Sequence, residues 1–289
     1  MSTVLVTGAN GQVGQELQRA DWPDGVSVVG LTRTDLDIAD RAAVAAALRT
    51  HAPEVVVNAA AYTAVDRAED EAEAAFRVNR DGVEVLNELT AEANIGFIHL
   101  STDYVFDGAK NGWYVETDAT NPTGVYGASK AAGERIVLTR PDAIVLRTAW
   151  VYGALGPNFV RTMLRLAAER DQLGVVDDQV GTPTAAADIA AAIVTIVDSG
   201  LERGGLFHCA APDEATWWDL ADAAITGAGL ADGVTIDKLT TEQYPTAAAR
   251  PANSRLASGK LADAYGVTLP PWRTSLAAVL RELTAASDA

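Results

Sequence analysis

Thr3-Val4-Leu5-Val6-Thr7 runs directly into Gly8-Ala9-Asn10-Gly11-Gln12-Val13-Gly14, and this stretch decides the fold. A short apolar, β-branched run that stops at a glycine-rich loop reads as a strand feeding a helix, whose pattern begins at Gln15. Gly8, Gly11 and Gly14 permit a tight turn and let the backbone approach a pyrophosphate at the helix N-terminus. Outward from it, β-rich runs at 26–31, 55–58, 97–101 and 144–147 alternate with helical stretches at 41–51, 68–79, 82–94 and 129–138. The strands are nearly continuous apolar runs, as expected where helices cover both faces of a parallel sheet. The fold class is therefore α/β, a Rossmann-type doubly wound parallel sheet, with residues 1–150 as the NAD(P)-binding domain.

Beyond residue 151 the alternation loosens. Helices are expected over 158–170, 188–199, 217–227 and 274–285, with a turn-rich segment at 175–184 and a strand at 206–209. Residues 151–289 read mainly as a smaller C-terminal substrate-binding lobe, with segments near 185–210 returning to the sheet. No internal repeat or low-complexity linker interrupts the chain.

The 289 residues carry 22 Lys and Arg against 39 Asp and Glu, a net charge of −17. A surface this acidic repels a phosphate backbone, which argues against nucleic acid as a partner but leaves room for a small phosphorylated ligand in one local pocket. The lone Cys209 has no partner for an internal disulfide, and His51, His99 and His208 lack zinc-site spacing. The longest nearly apolar stretch, 185–197, is broken by Asp188 and too short to span a bilayer. A cytoplasmic protein without a membrane partner is expected.

Tyr126-Gly127-Ala128-Ser129-Lys130 sets a phenol and an amine four residues apart at a helix start, hence on one face. A nearby cation favours tyrosinate, so the expectation is a lowered Tyr126 pKa and proton exchange with a carbonyl oxygen. The competing reading is a surface lysine beside a packed tyrosine. The chain has only four lysines, Lys110, Lys130, Lys238 and Lys260, which makes the pairing more telling. Ser101-Thr102-Asp103 closes a strand at the sheet edge where such folds build sites, and by spacing either hydroxyl could hold a substrate carbonyl. The second strand ends in Thr32-Arg33 without an acid, which favours a 2′-phosphate and hence NADPH, with NADH as a further candidate. Asp37-Ile38 follows where a loop could reach an adenine; a helix cap serves Asp37 equally well.

The glycine spacing and Tyr-x-x-x-Lys resemble the extended short-chain dehydrogenase/reductase superfamily. Longer segments resemble its branch of dTDP-4-dehydro-sugar reductases: 11–17, 57–66, 101–108, 125–130, 147–152, 178–184 and 250–256. The resemblance covers residues 1 to about 285 and implies NAD(P)H-dependent reduction of the C4 ketone of dTDP-4-dehydro-β-L-rhamnose. It places the catalytic roles on Tyr126, Lys130 and Thr102. Cofactor contacts fall on Gly11, Gln12, Val13, Asp37, Ile38, Ala61, Tyr62 and Thr63, and substrate contacts on Asp103 and Trp150. Arg250, Asn253 and Arg255 are candidate diphosphate binders in an otherwise acidic protein. Some members of the branch join two subunits through Mg2+ held by glutamates. Glu16 and Glu282 match two such positions, but Ala187 stands where a third is expected, with Asp188 one residue off. That argues against a metal, and a monomer or homodimer is expected. Two other functions share these motifs: an epimerase or dehydratase that keeps NAD+ bound, and a non-catalytic regulatory subunit.

Overall fold

The computed structural model describes residues 2–201 and 203–287. Six parallel strands form the central sheet in the spatial order Gly205–His208, Ile144–Thr148, Gly96–Thr102, Val55–Asn58, Ser2–Thr7, Val26–Leu31. Each strand sends alternate residues to opposite faces, as the two-residue period requires. Val4, Val6, Val57, Ile98, Ile144 and Leu146 enter one core with Val13 and Leu17 of the helix Gln12–Arg19 and Ile189 and Ile193 of the helix Ala186–Asp198. Leu5, Val56, Phe97 and Val145 enter the other, against Val44 and Leu48 of the helix Arg41–His51, Leu86 of Gly82–Glu92 and Val137 of Val125–Val137. The doubly wound reading thus holds, with strand ends within a residue or so of those expected.

From Ser2–Thr7 the chain first lays Val26–Leu31 on one side, then crosses to place Val55–Asn58 on the other. The glycine-rich loop follows the first strand at this reversal, where the helices diverge and leave a crevice at the carboxyl ends of the strands. The strand Gly205–His208 completes the sheet beside Ile144–Thr148, after the chain has already built part of the cap over the crevice.

The cap contains the helices Phe159–Glu169 and Trp217–Gly227 and small sheets. Ala215–Thr216, Val180–Gly181 and Asn253–Ser254 form one; Thr235–Leu239 pairs with Gln172–Val176 in another. The second pairing ends in Val175 and Val176, expected to begin the turn-rich segment but finishing a strand instead. Leu173 and Val175 point alternately into a core against Ala221 and Ile225 of the helix Trp217–Gly227, a burial supplied by distant sequence. Among the described residues, no helix is long and apolar enough to cross a membrane.

Candidate active site

The glycine-rich loop is shaped by close backbone approach. Gly8 has φ +71°, and a Cβ there would lie 2.5 Å from the Ala60 nitrogen; one on Gly14 would lie 2.3 Å from the Gly8 oxygen. The Gly11 amide donates to the Gly8 carbonyl, and the Ala9 amide to Leu31, which stitches the loop to the end of the second strand. Gly11 caps the helix Gln12–Arg19 without a side-chain hydrogen bond. The first-turn amides therefore face the crevice without a side chain in front of them, and the cradle fits the pyrophosphate of a dinucleotide.

A cleft of about 700 Å³ opens in front of this loop. Gly11, Gln12, Val13, Gly14, Ala61, Thr63, Ser101, Thr102, Asp103, Tyr126, Lys130 and Trp150 all line it, so residues far apart in sequence meet in one space. Gly8 lies behind the loop and sets its turn. Arg33 is exposed just past the second strand. Ile38 is 4% exposed and packs beneath Gly82 within the core, and it does not itself line the cleft. Asp37 is no helix cap: Asp40 caps Arg41–His51 by accepting from the Ala42 and Ala43 amides, while Asp37 pairs with Arg77 at 2.5 Å. That ion pair holds the Asp37 carboxyl below its usual range. The Tyr62 backbone is gripped at both ends by the buried Asn79, whose Oδ1 accepts from the Tyr62 amide and whose Nδ2 donates to its carbonyl.

Tyr126 and Lys130 lie one turn apart on Val125–Val137, a helix that can approach the turn Asp103–Val105 at the strand end because Gly127 has no side chain to meet the Tyr104 carbonyl. The expected lowering of the Tyr126 pKa does not occur. Burial pushes the phenol up to about 12, and the Asp103 carboxylate adds to this; a hydrogen bond with Thr102 pulls the other way. Lys130 Nζ donates to the Leu100 carbonyl at 2.6 Å and sits 3.4 Å from His99 Nε2. Burial pulls the lysine down to about 8. Both hydroxyls left open by spacing, Ser101 and Thr102, line the cleft with Tyr126. Thr102 Oγ1 donates to Asp103 Oδ1 at 3.0 Å and accepts from the Tyr104 amide. Asp103 is 3% exposed, and burial raises its carboxyl to about 6.

A second cavity of about 380 Å³ adjoins the first, sharing Tyr104, Phe159 and Trp217 with it. Arg250 lines it, paired with Asp66 at 2.6 Å, and its buried Nη1 has no hydrogen-bond partner within the protein. Asn253 and Arg255 line neither cavity. Asn253 donates to the Lys110 and Gly112 carbonyls and accepts from Arg255, whose guanidinium pairs with Glu214. Trp150 stacks on Trp217, a residue that sequence reasoning did not single out. Its only advance sign was a tryptophan pair, Trp217-Trp218, opening an expected helix.

Glu16 and Glu282 do come together, but on Arg19, which binds both carboxylates. Asp188 accepts from the Ser275 hydroxyl instead of joining them. A guanidinium between the two glutamates does not fit a bridging divalent cation, and among the described residues no group of three or more acidic, histidine or cysteine side chains is placed to hold one.

Residues 1–285 match the family model described as RmlD substrate binding domain. A dTDP-4-dehydrorhamnose reductase of Sinorhizobium fredii is 45% identical over 280 residues, 94% of each chain. The crystal structure of a dTDP-4-dehydrorhamnose reductase from Clostridium acetobutylicum superposes with a TM-score of 0.93 at 36% identity, covering 98% of this chain and 99% of that one. A Bacillus anthracis dTDP-4-dehydrorhamnose reductase in complex with NADP superposes with a TM-score of 0.92 at 32% identity, covering 98% and 100%.

Proposed function

The chain belongs to the RmlD substrate binding domain family, and from that premise we propose that it is a dTDP-4-dehydrorhamnose reductase, an NADPH-dependent oxidoreductase acting on a nucleotide sugar. The observation that carries the reading is the meeting of Tyr126, Lys130 and Thr102 in one cleft with the glycine-rich loop.

When bound, NADPH would supply the hydride for C4 of the substrate ketone. The amides at the start of Gln12–Arg19 would hold its pyrophosphate, and Arg33 would suit the 2′-phosphate that distinguishes it from NADH. Thr102 orients the C4 carbonyl oxygen by hydrogen bonding. Tyr126 gives that oxygen a proton as negative charge develops on it, closing the balance of ketone, hydride and proton to alcohol. With its pKa raised, the phenol keeps its proton at neutral pH, the form a reduction requires.

The adjoining cavity receives the nucleoside diphosphate, with Arg250 as its cation and Trp217 as an apolar wall, backed by Trp150 from the first cleft. Residues 1–150 together with the Gly205–His208 strand form the cofactor-binding part, and most of the remainder binds substrate. Asn253 and Arg255 support the substrate part by tying its segments together. An epimerase or dehydratase would use the same tyrosine and lysine but keep NAD+ tightly bound, so stoichiometric NAD+ in the purified protein would favour that reading instead.

Tyr126→Phe tests the reading. It is expected to lower kcat by about 10²–10⁴-fold with NADPH affinity unchanged, measured by NADPH oxidation with dTDP-4-dehydro-β-L-rhamnose generated in place. Wild-type turnover in the variant would remove Tyr126 from the mechanism. Absence of turnover in the folded wild type would remove the reductase reading itself.

A further inference from the structure

Thr102 has one hydroxyl hydrogen, and in this structure Asp103 holds it. Thr102 Oγ1 accepts from the Tyr104 amide at 3.2 Å and donates to Asp103 Oδ1 at 3.0 Å. The reductase reading needs that same hydrogen on the C4 carbonyl oxygen. Asp103 is 3% exposed and lines the cleft, and its buried Oδ2 has no hydrogen-bond partner.

Turning the Thr102 hydrogen to a substrate would strip Oδ1 of it while Oδ2 still lacks a partner. A buried charge left that way is costly. A proton on Oδ1 removes the charge and reverses the bond. The carboxyl O–H then donates to the second lone pair of Thr102 Oγ1, and the Thr102 hydrogen is released to the ketone.

We propose that Asp103 is a positioning residue that takes up a proton as the nucleotide sugar binds, so that Thr102 can give its hydrogen to the C4 carbonyl oxygen. Among the described residues no cation pairs with Asp103 to hold it charged. Tyr104 on its own turn and Tyr126 on the helix Val125–Val137 are phenols whose pKa values the Asp103 charge raises. Further along that helix Lys130 donates to the Leu100 carbonyl, and Glu134 pairs with Arg147 of the strand Ile144–Thr148. In the cap, Arg250 pairs with Asp66 and Arg255 with Glu214. Burial pushes the Asp103 carboxyl up to about 6, against the pull of the Ser254 and Thr102 hydroxyls. The free protein is thus mostly ionised here at neutral pH, within reach of a ligand that shifts the balance. A substrate that fills the cleft excludes water and takes the Thr102 hydrogen, and both changes favour the acid. The inference rests on the reductase reading for its substrate and deepens it by assigning the protonation state that binds.

The test is calorimetry of the full chain saturated with NADP+ and titrated with dTDP-4-dehydro-β-L-rhamnose, a pair that cannot exchange hydride. Binding heats compared in buffers of different ionisation enthalpy count the protons taken up. About one proton should be taken up at pH 7.5 and little at pH 5, with affinity weakening about tenfold for each pH unit above 6. In Asp103→Asn the uptake between pH 6 and 7 should vanish. Binding without proton uptake in the wild type overturns the proposal, and so does unchanged uptake in folded Asp103→Asn. Should that variant not fold, the wild type still decides. Uptake that first appears near pH 8 would belong to Lys130, which burial pulls down to about 8, and would overturn the assignment to Asp103. Failure of the reductase reading is a separate outcome, in which the ketone does not bind at any pH.

Discussion

Trp150 lies flat against Trp217, with ring centroids 3.7 Å apart and 8° between the planes. Trp150 reaches this position with φ +47°, in the left-handed region that a bulky residue adopts only where its surroundings impose it. Gly181 leaves room for it, since a Cβ there would lie 2.4 Å from Trp150 Cε2. Gly181→Ala is therefore expected to push the ring off its stack. An overpacking cost of about 1–3 kcal/mol should appear as a rise in KM for the nucleotide sugar of roughly tenfold or more, with KM for NADPH unchanged. Steady-state kinetics with each substrate varied in turn checks this.

Arg33 extends from the end of the second strand, beside the loop that Ala9 ties to Leu31. A charge-assisted contact to a 2′-phosphate contributes about 1.5–3 kcal/mol. Arg33→Ala should raise KM for NADPH by roughly tenfold or more and leave that for NADH nearly unaltered. Equal losses with both nucleotides would place the 2′-phosphate elsewhere.

Asp103 carries a folded-state pKa raised from 3.8 to about 6 by burial. Below the lower value both states hold the proton and nothing is lost. Between the two values the unfolded chain releases its proton first, so this group's contribution to stability falls as pH rises. Above about 6 the full penalty applies, on the order of 3 kcal/mol. Asp103→Asn should thus gain stability relative to wild type as pH rises from 4 to 7, less the cost of an amide hydrogen without a partner at the position of the buried, unpaired Oδ2. Urea unfolding of both proteins across that range reads the difference directly.

Arg19 already neutralises Glu16 and Glu282. Chelation with EDTA is expected to leave both turnover and sedimentation behaviour unchanged, and added Mg2+ likewise. Arg19→Ala removes the competing cation, so a Mg2+-dependent change in thermal stability should appear in that variant alone. The same dependence in the wild type would mean that the guanidinium yields to metal.

The sheet was legible because a buried parallel strand must be apolar along its length, and the loop because Gly8 and Gly14 stand where a Cβ would strike backbone. The catalytic face was legible because a helix fixes the relation of Tyr126 to Lys130. The ionisation of that pair was not. It depends on burial and on where the lysine hydrogen bonds go, and His99 looked like an isolated histidine until strand register set it beside Asn58. Arg250 and Arg255 read alike in sequence, five residues apart, but Asp66 and a cavity receive one, while Glu214 and Asn253 engage the other. Nothing local in the 250–256 segment separates them. Asp37 was ambiguous for the same reason: its partner, Arg77, is forty residues away.

The late return of Gly205–His208 to the edge of the sheet means that no single cut divides this protein into two self-sufficient fragments. A fragment ending at residue 150 would lose that strand and bare the hydrogen-bonding groups of Ile144–Thr148. It would also lose the helix Ala186–Asp198, exposing the apolar residues that Ile189, Ile193 and Ile196 cover. An unpaired strand beside an uncovered apolar face is a template for aggregation. The cofactor-binding half should accordingly be recovered soluble only when the two stretches are co-expressed or rejoined by a linker that skips the cap.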